Sequence, residues 1–131
     1  MLATLVKEPF DKKGWVFEIK FDGYRALAHK NKTVRLLSRN DQPFTQFPSI
    51  VEELKTLPDA CVLDGEIVLL DQQGRSQFQL LQNYQRTKQG TPYYYVFDIL
   101  SYKGKDCTKL SLIERKEILR KMLCGGTYTH L

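Results

Sequence analysis

From Trp15 to Asp22 the chain reads Trp-Val-Phe-Glu-Ile-Lys-Phe-Asp, so that Trp15, Phe17, Ile19 and Phe21 alternate with Val16, Glu18, Lys20 and Asp22. A period of two is the pattern of a half-buried strand. One face is aromatic and aliphatic; the other carries a carboxylate, an amine and a second carboxylate in a row. Gly23 then relaxes the backbone, and Tyr24 to Lys30 predicts a second strand. Asn31-Lys32 reads as a tight turn into a third, Thr33–Ser38. The expectation is an antiparallel meander in which Lys20 stands on a central strand, partly desolvated between Ile19 and Phe21.

The period changes after Phe47. Phe47, Ile50, Val51, Leu54 and Leu57 fall at helical spacing, Pro48 suits a first turn, and Pro58 closes the segment. These residues are the expected partners of the Trp15/Phe17/Ile19/Phe21 face. Val62–Leu70 returns to strand, Asp71–Gly74 to turn, and Ser76–Arg86 to a short polar helix or a helix plus loop. Tyr93–Leu100 predicts an interior strand, and Lys103–Asp106 a turn. Ser111-Leu112-Ile113-Glu114 has the form of a capping box and opens a helix to Leu123, which Cys124-Gly125-Gly126 stops. The predicted fold class is α+β, an antiparallel sheet with flanking helices in one compact unit.

Composition narrows the function. Of 131 residues, 42% are hydrophobic and 27% charged, which argues against a disordered chain. No apolar run reaches the roughly 18–20 residues of a membrane span, and Met1–Phe10 does not read as a secretory signal. The three cysteines are widely spaced with no C-x-x-C pair, so neither a zinc site nor a disulfide framework is expected, and a reducing cytosol is the default setting. The net charge of +5 favours an anionic partner only weakly.

The charged face of the first segment is where chemistry enters. A lysine at a partly desolvated site can lose its proton near neutral pH and act as a nucleophile. An arginine close by disfavours the ammonium and offers a fork for phosphate. Lys20-Phe21-Asp22-Gly23-Tyr24-Arg25 supplies both. This string resembles the K-x-D-G-x-R signature of covalent nucleotidyltransferases: ATP-dependent DNA ligases, RNA ligases and mRNA capping enzymes. Phe17–Leu27 as a whole is most similar to the bacterial ligase-D type of DNA ligase. Other strings of that family follow in order: Leu37-Ser38-Arg39-Asn40, then Leu63-Asp64-Gly65-Glu66-Ile67-Val68, then Tyr95-Val96-Phe97-Asp98-Ile99-Leu100. Ser76–Gln85 and Leu112–Lys116 also resemble family segments.

The resemblance implies a partial nucleotidyltransferase domain, of the ATP-grasp-like ligase adenylation type, over residues 1–123, with 124–131 unassigned. It implies ATP and Mg²⁺, with Lys20 attacking the α-phosphorus and keeping AMP. Arg25 and Arg39 would hold phosphate, Glu66 the ribose or the metal, and Phe97 the adenine face; Glu18 would orient the base or Lys20. A carboxylate beside Lys20 also raises the lysine's pKa, which the metal and the arginines must outweigh. Nicked double-stranded DNA is the implied partner, in a bacterial cytoplasm; Lys30, Lys32, Arg35 and Arg39 cluster on the predicted meander, either as contacts for its phosphates or as a solvated hairpin. Ku and the polymerase and phosphoesterase modules of such ligases are further implied partners. The family's later E-G-[IV]-V motif, and a K-x-K motif following it, do not occur, and the chain is too short for an OB-fold. At most a weak first step is therefore expected of it. A non-catalytic nucleotide- or DNA-binding fragment, and an RNA ligase or capping-type enzyme, remain the alternatives.

Overall fold

The computed structural model describes residues 4–71, 73–128 and 131. The first residues of the expected 1–123 unit, Gln72 of the predicted turn, and residues 129 and 130 of the tail lie outside them. Among the described residues one five-stranded sheet organises the fold, with strand order β2-β1-β3-β4-β5 and every neighbouring pair antiparallel. The strands are β1 (Tyr24–Lys30), β2 (Val34–Ser38), β3 (Cys61–Leu69), β4 (Pro92–Tyr102) and the short β5 (Lys105–Asp106). Three helices complete the set among the described residues: α1 (Pro48–Lys55), α2 (Phe78–Thr87) and α3 (Leu112–Leu123).

The periods explain most of this. In β3, Leu63, Ile67 and Leu69 join Ala26 and Ala28 of β1, Leu36 of β2 and Tyr94 of β4 in one buried core. Phe47, Ile50 and Leu54 of the α1 region, and Leu81 of α2, close over that face. Phe47 stacks on Tyr84 at 5.6 Å between ring centroids. Pro48 stands in the first turn of α1, where its missing N–H costs nothing. At α3, Ser111 and Glu114 form the expected capping box. The segment read as the turn Lys103–Asp106 is a hairpin: Lys103 and Gly104 take positive φ (51° and 76°), and Lys105–Asp106 returns to pair with Ser101–Tyr102.

The first predicted strand is not there. Trp15–Asp22 has no strand pairing, and Trp15, Phe17 and Ile19 are exposed, Ile19 by 78%. The cause is that a strand needs a free edge as well as an alternating sequence. β1 is flanked on both sides, by β2 and β3, so β1 and β3 are the interior strands nearest this segment. The outer side of β2 is partly taken by the Leu37–Pro43 bridge and by Phe44 N–H donating to the Leu36 carbonyl. The aromatic face of the segment therefore does not meet Phe47, Ile50, Val51 and Leu54. Instead Phe10 packs edge-on against Trp15 and Phe17, at 4.8 and 6.0 Å. Lys20 stands on an exposed arm, not on a desolvated central strand.

Candidate active site

Antiparallel register builds the site on the sheet face opposite the core. Arg25 of β1 lies across from Glu66 of β3, and Glu66 across from Tyr95 of β4. Residues paired in this way share a face. Asp64 sits one step along β3 on the same face. Its buried carboxylate takes the Arg25 guanidinium in a fork, Nε to Oδ1 at 2.6 Å and Nη2 to Oδ2 at 2.5 Å. That hydrogen bonding, set against partial burial, raises the Arg25 pKa further above its ordinary range. Gly65 is required between the two acids. A Cβ there would lie 2.6 Å from both the Tyr94 ring and the Tyr95 carbonyl oxygen.

A bulge places Phe97. The pairing runs Asp64 to Asp98 and then Gly65 to Val96, so Phe97 has no partner on β3. The extra residue resets the alternation: Tyr94 and Ile99 both reach the core although they are an odd number of residues apart. The Arg25 guanidinium carbon lies 4.9 Å from the centre of the Phe97 ring. Behind the bulge, Asp98 forms a buried ion pair with Arg115 of α3, Nε to Oδ1 at 2.7 Å. The Arg115 Nη1 also donates to the Leu110 carbonyl.

The arm bearing Lys20 is pinned on both sides of that residue. Gly23 N–H donates to Glu66 Oε1 at 3.1 Å. A Cβ on Gly23 would come within 2.1 Å of the Ile67 carbonyl oxygen, so only glycine fits this approach. Phe21 packs on Tyr95 at 4.5 Å. Glu18 forms an ion pair with Lys116 of α3. Lys20 is exposed, yet its charge acts on Glu66. Burial pushes the Glu66 carboxyl up, while the Gly23 N–H, Arg25 and Lys20 each pull it back, and Asp22 adds to the rise. The fold therefore gathers Lys20, Arg25, Glu66 and Phe97 into one candidate site, with Glu18 at its rim.

The four basic residues expected along DNA separate. Arg35 lies across from His29, on the site side of the sheet, and Arg39 occupies an exposed turn after β2. The strand order puts Arg39 two strand spacings from β3, about 10 Å. Lys32 is exposed at the hairpin tip. Lys30 pairs across from Val34 and Cys61, and its charge acts on Asp59 and Cys61 away from the site. Asp64 and Lys116 were not singled out from sequence as site residues. The fork to Asp64 had a signal, two acids on one strand face around a glycine; the reach of Lys116 from a helix had none.

Among the described residues no cluster of three or more His, Cys, Asp or Glu side chains could hold a metal ion, and no helix is long and apolar enough to cross a membrane. Glu66 has one oxygen engaged by Gly23. These residues suit an ion that arrives with a polyphosphate and takes a single carboxylate, as magnesium commonly does, and not a cage formed by the protein alone.

Residues 1–129 match the family model described as ATP dependent DNA ligase domain. The chain is 38% identical over 128 residues to the multifunctional non-homologous end joining protein LigD of Pseudomonas aeruginosa, covering 95% of this chain and 15% of that protein. The fold matches the ligase domain of Mycobacterium tuberculosis LigD with a TM-score of 0.75 and 30% identity, over 82% of this chain and 36% of that one. A mycobacterial DNA ligase D complexed with ATP and MES gives a TM-score of 0.67 at 30% identity, over 79% and 35%. The chain thus spans less than half the length of these relatives.

Proposed function

The chain belongs to the ATP-dependent DNA ligase domain family, and from that premise we propose that it carries the adenylation half of a ligase site, with Lys20 as nucleophile. The lone pair of the neutral Lys20 Nζ forms a bond to the α-phosphorus of ATP. The bond from that phosphorus to the bridging oxygen breaks, pyrophosphate leaves with the electron pair, and the amine loses a proton to solvent. The product is AMP joined to Lys20 through a phosphoramidate. Arg25, held in place by Asp64, offers its exposed edge to phosphate. Glu66 takes the ribose side, Phe97 the adenine face, and Glu18 the rim near the base. A magnesium ion carried by the triphosphate would be held by Glu66 and would supply charge neutralisation.

What carries this reading is the Gly23–Glu66 hydrogen bond, because it brings the Lys20 string onto the strand that holds Asp64 and Glu66. It is supported by a solved relative described as complexed with ATP. In a complete ligase the AMP would pass to the 5′-phosphate of a nick, and the 3′-hydroxyl would then attack and release AMP. We place Arg35 and Arg39, with Lys32 at the tip, along the phosphates of that duplex; Lys30 falls outside this surface. End joining enters the proposal through the names of the LigD relatives. Ku and the polymerase and phosphoesterase modules, and a bacterial cytoplasmic setting, enter through the family resemblance alone. The test is incubation with α-labelled ATP and Mg²⁺. Label should enter the wild type and fall to background in Lys20→Ala; equal labelling of the two removes Lys20 as the nucleophile.

A further inference from the structure

Lys116 lies on α3, and its ammonium joins two segments far apart in the chain. It pairs with the carboxylate of Glu18 and donates to the carbonyl oxygen of Phe97 at 2.8 Å. Both partners matter to the site. Phe97 is the bulged residue beneath Arg25, and Glu18 stands two residues before Lys20. A free carboxylate so close would favour the charged form of Lys20, which cannot act as a nucleophile. Among the described residues Glu18 makes its ion pair with Lys116 and not with Lys20.

We propose that Lys116 is a positioning residue for adenylation: it draws the Glu18 carboxylate away from Lys20 and fixes the Phe97 bulge by its carbonyl. The consequence for ATP rests on the ligase reading; the charge arrangement does not. The other charges facing Lys20 make the role specific. On the arm itself stand Glu18 and Asp22. Glu66 faces it from β3. Arg25 of β1 is forked onto Asp64 and also acts on Glu66. α3 contributes Lys116. Without Lys116, Glu18 loses the cation that, among the described residues, binds it from outside the arm. Lys116 is itself partly buried, and its two acceptors come from elements that share no strand pairing. The contact is therefore a tie between the arm and β4.

The experiment uses the full chain with ¹³C-labelled lysine and follows the Lys20 side-chain resonance by NMR against pH, in the absence of ATP. In Lys116→Met the Lys20 midpoint should rise by about half a pH unit, because Glu18 is released toward it. Lys116→Gln retains a donor for the Phe97 carbonyl but loses the charge, and should give the same rise. Lys116→Arg should stay with the wild type. The double variant Glu18→Gln/Lys116→Met should titrate together with Glu18→Gln. An unmoved midpoint in a folded Lys116→Met or Lys116→Gln overturns the proposal, and so does a rise that persists when Glu18 is already glutamine. Because the titration needs no turnover, absence of label from ATP with this pattern intact removes the ligase reading and leaves the role of Lys116 standing.

Discussion

Arg25 and Lys20 are five residues apart, yet the chain holds them by different means. Arg25 sits within β1, flanked by strands on both sides, and its guanidinium is forked onto a buried carboxylate. Lys20 sits on an arm without strand pairing, positioned by contacts at Glu18, Phe21 and Gly23. The side of the proposed site that carries Arg25, Glu66 and Phe97 is thus fixed by sheet register. The proposed nucleophile is fixed by a few side-chain and backbone ties. Substitutions should accordingly divide: those in the sheet cost stability, and those in the arm cost chemistry.

The largest effect tests the sheet side. The Arg115–Asp98 pair is buried, with side chains 5% and 9% exposed. Arg115→Met leaves a carboxylate inside the fold without its cation and should destabilise by about 3–5 kcal/mol, measured by urea unfolding. A loss below about 1 kcal/mol would show that the Ile99 N–H, which also bonds Asp98, suffices on its own.

Two glycines sharpen the contrast. Gly65→Ala drives a methyl into the Tyr94 ring and the Tyr95 carbonyl and should cost about 1–3 kcal/mol of stability. Gly23→Ala meets the Ile67 carbonyl even more closely, but the arm can lift away from the sheet. It should lose the hydrogen bond to Glu66 and reduce labelling by ATP about 100-fold, with stability changed by less than about 1 kcal/mol. If Gly23→Ala unfolds the chain and leaves labelling of the folded fraction intact, the division between sheet and arm is wrong.

What the sequence made legible follows the same line. Tyr24–Lys30, the hairpin to Ser38, the helix after Phe47 and the capping box at Ser111 all depend on local period or local hydrogen bonding, and each was readable. Trp15–Asp22 was misread because alternation describes one strand and says nothing of whether an edge is available. The Phe97 bulge was hidden because it depends on which β3 residue lies opposite. Asp64 and Lys116 escaped for a related reason: their partners, Arg25 and Glu18, lie 39 and 98 residues away. The separation of Lys30 from Arg35 is a matter of strand parity, and a list of nearby basic residues does not encode it.

The arm's exposed aromatics give a smaller effect. Phe17→Ser should change stability by no more than about 0.5 kcal/mol, since the ring packs on Phe10 alone among the described aromatics and is 60% exposed. A strand packed on α1 would instead lose about 3–5 kcal/mol on losing such a ring, so one urea curve separates the two arrangements.

Glu66 gives the smallest effect, because it belongs to both regions. Burial raises its carboxyl pKa more than Gly23, Arg25 and Lys20 lower it. The folded value therefore lies above the unfolded one. Stability linked to this group is fully present below the unfolded pKa and is lost as pH rises through the folded value. At neutral pH the wild type thus holds a charge that its surroundings disfavour. Glu66→Gln keeps an oxygen to accept the Gly23 N–H and removes that charge. Unfolding in urea should show the variant slightly more stable than the wild type near pH 7, with the difference fading toward about pH 3.5, where the wild-type carboxyl is protonated. The same variant should label poorly with ATP. If Glu66→Gln is instead less stable near pH 7, attraction to Arg25 and Lys20 outweighs burial, and the arm is held by charge as well as by the Gly23 hydrogen bond.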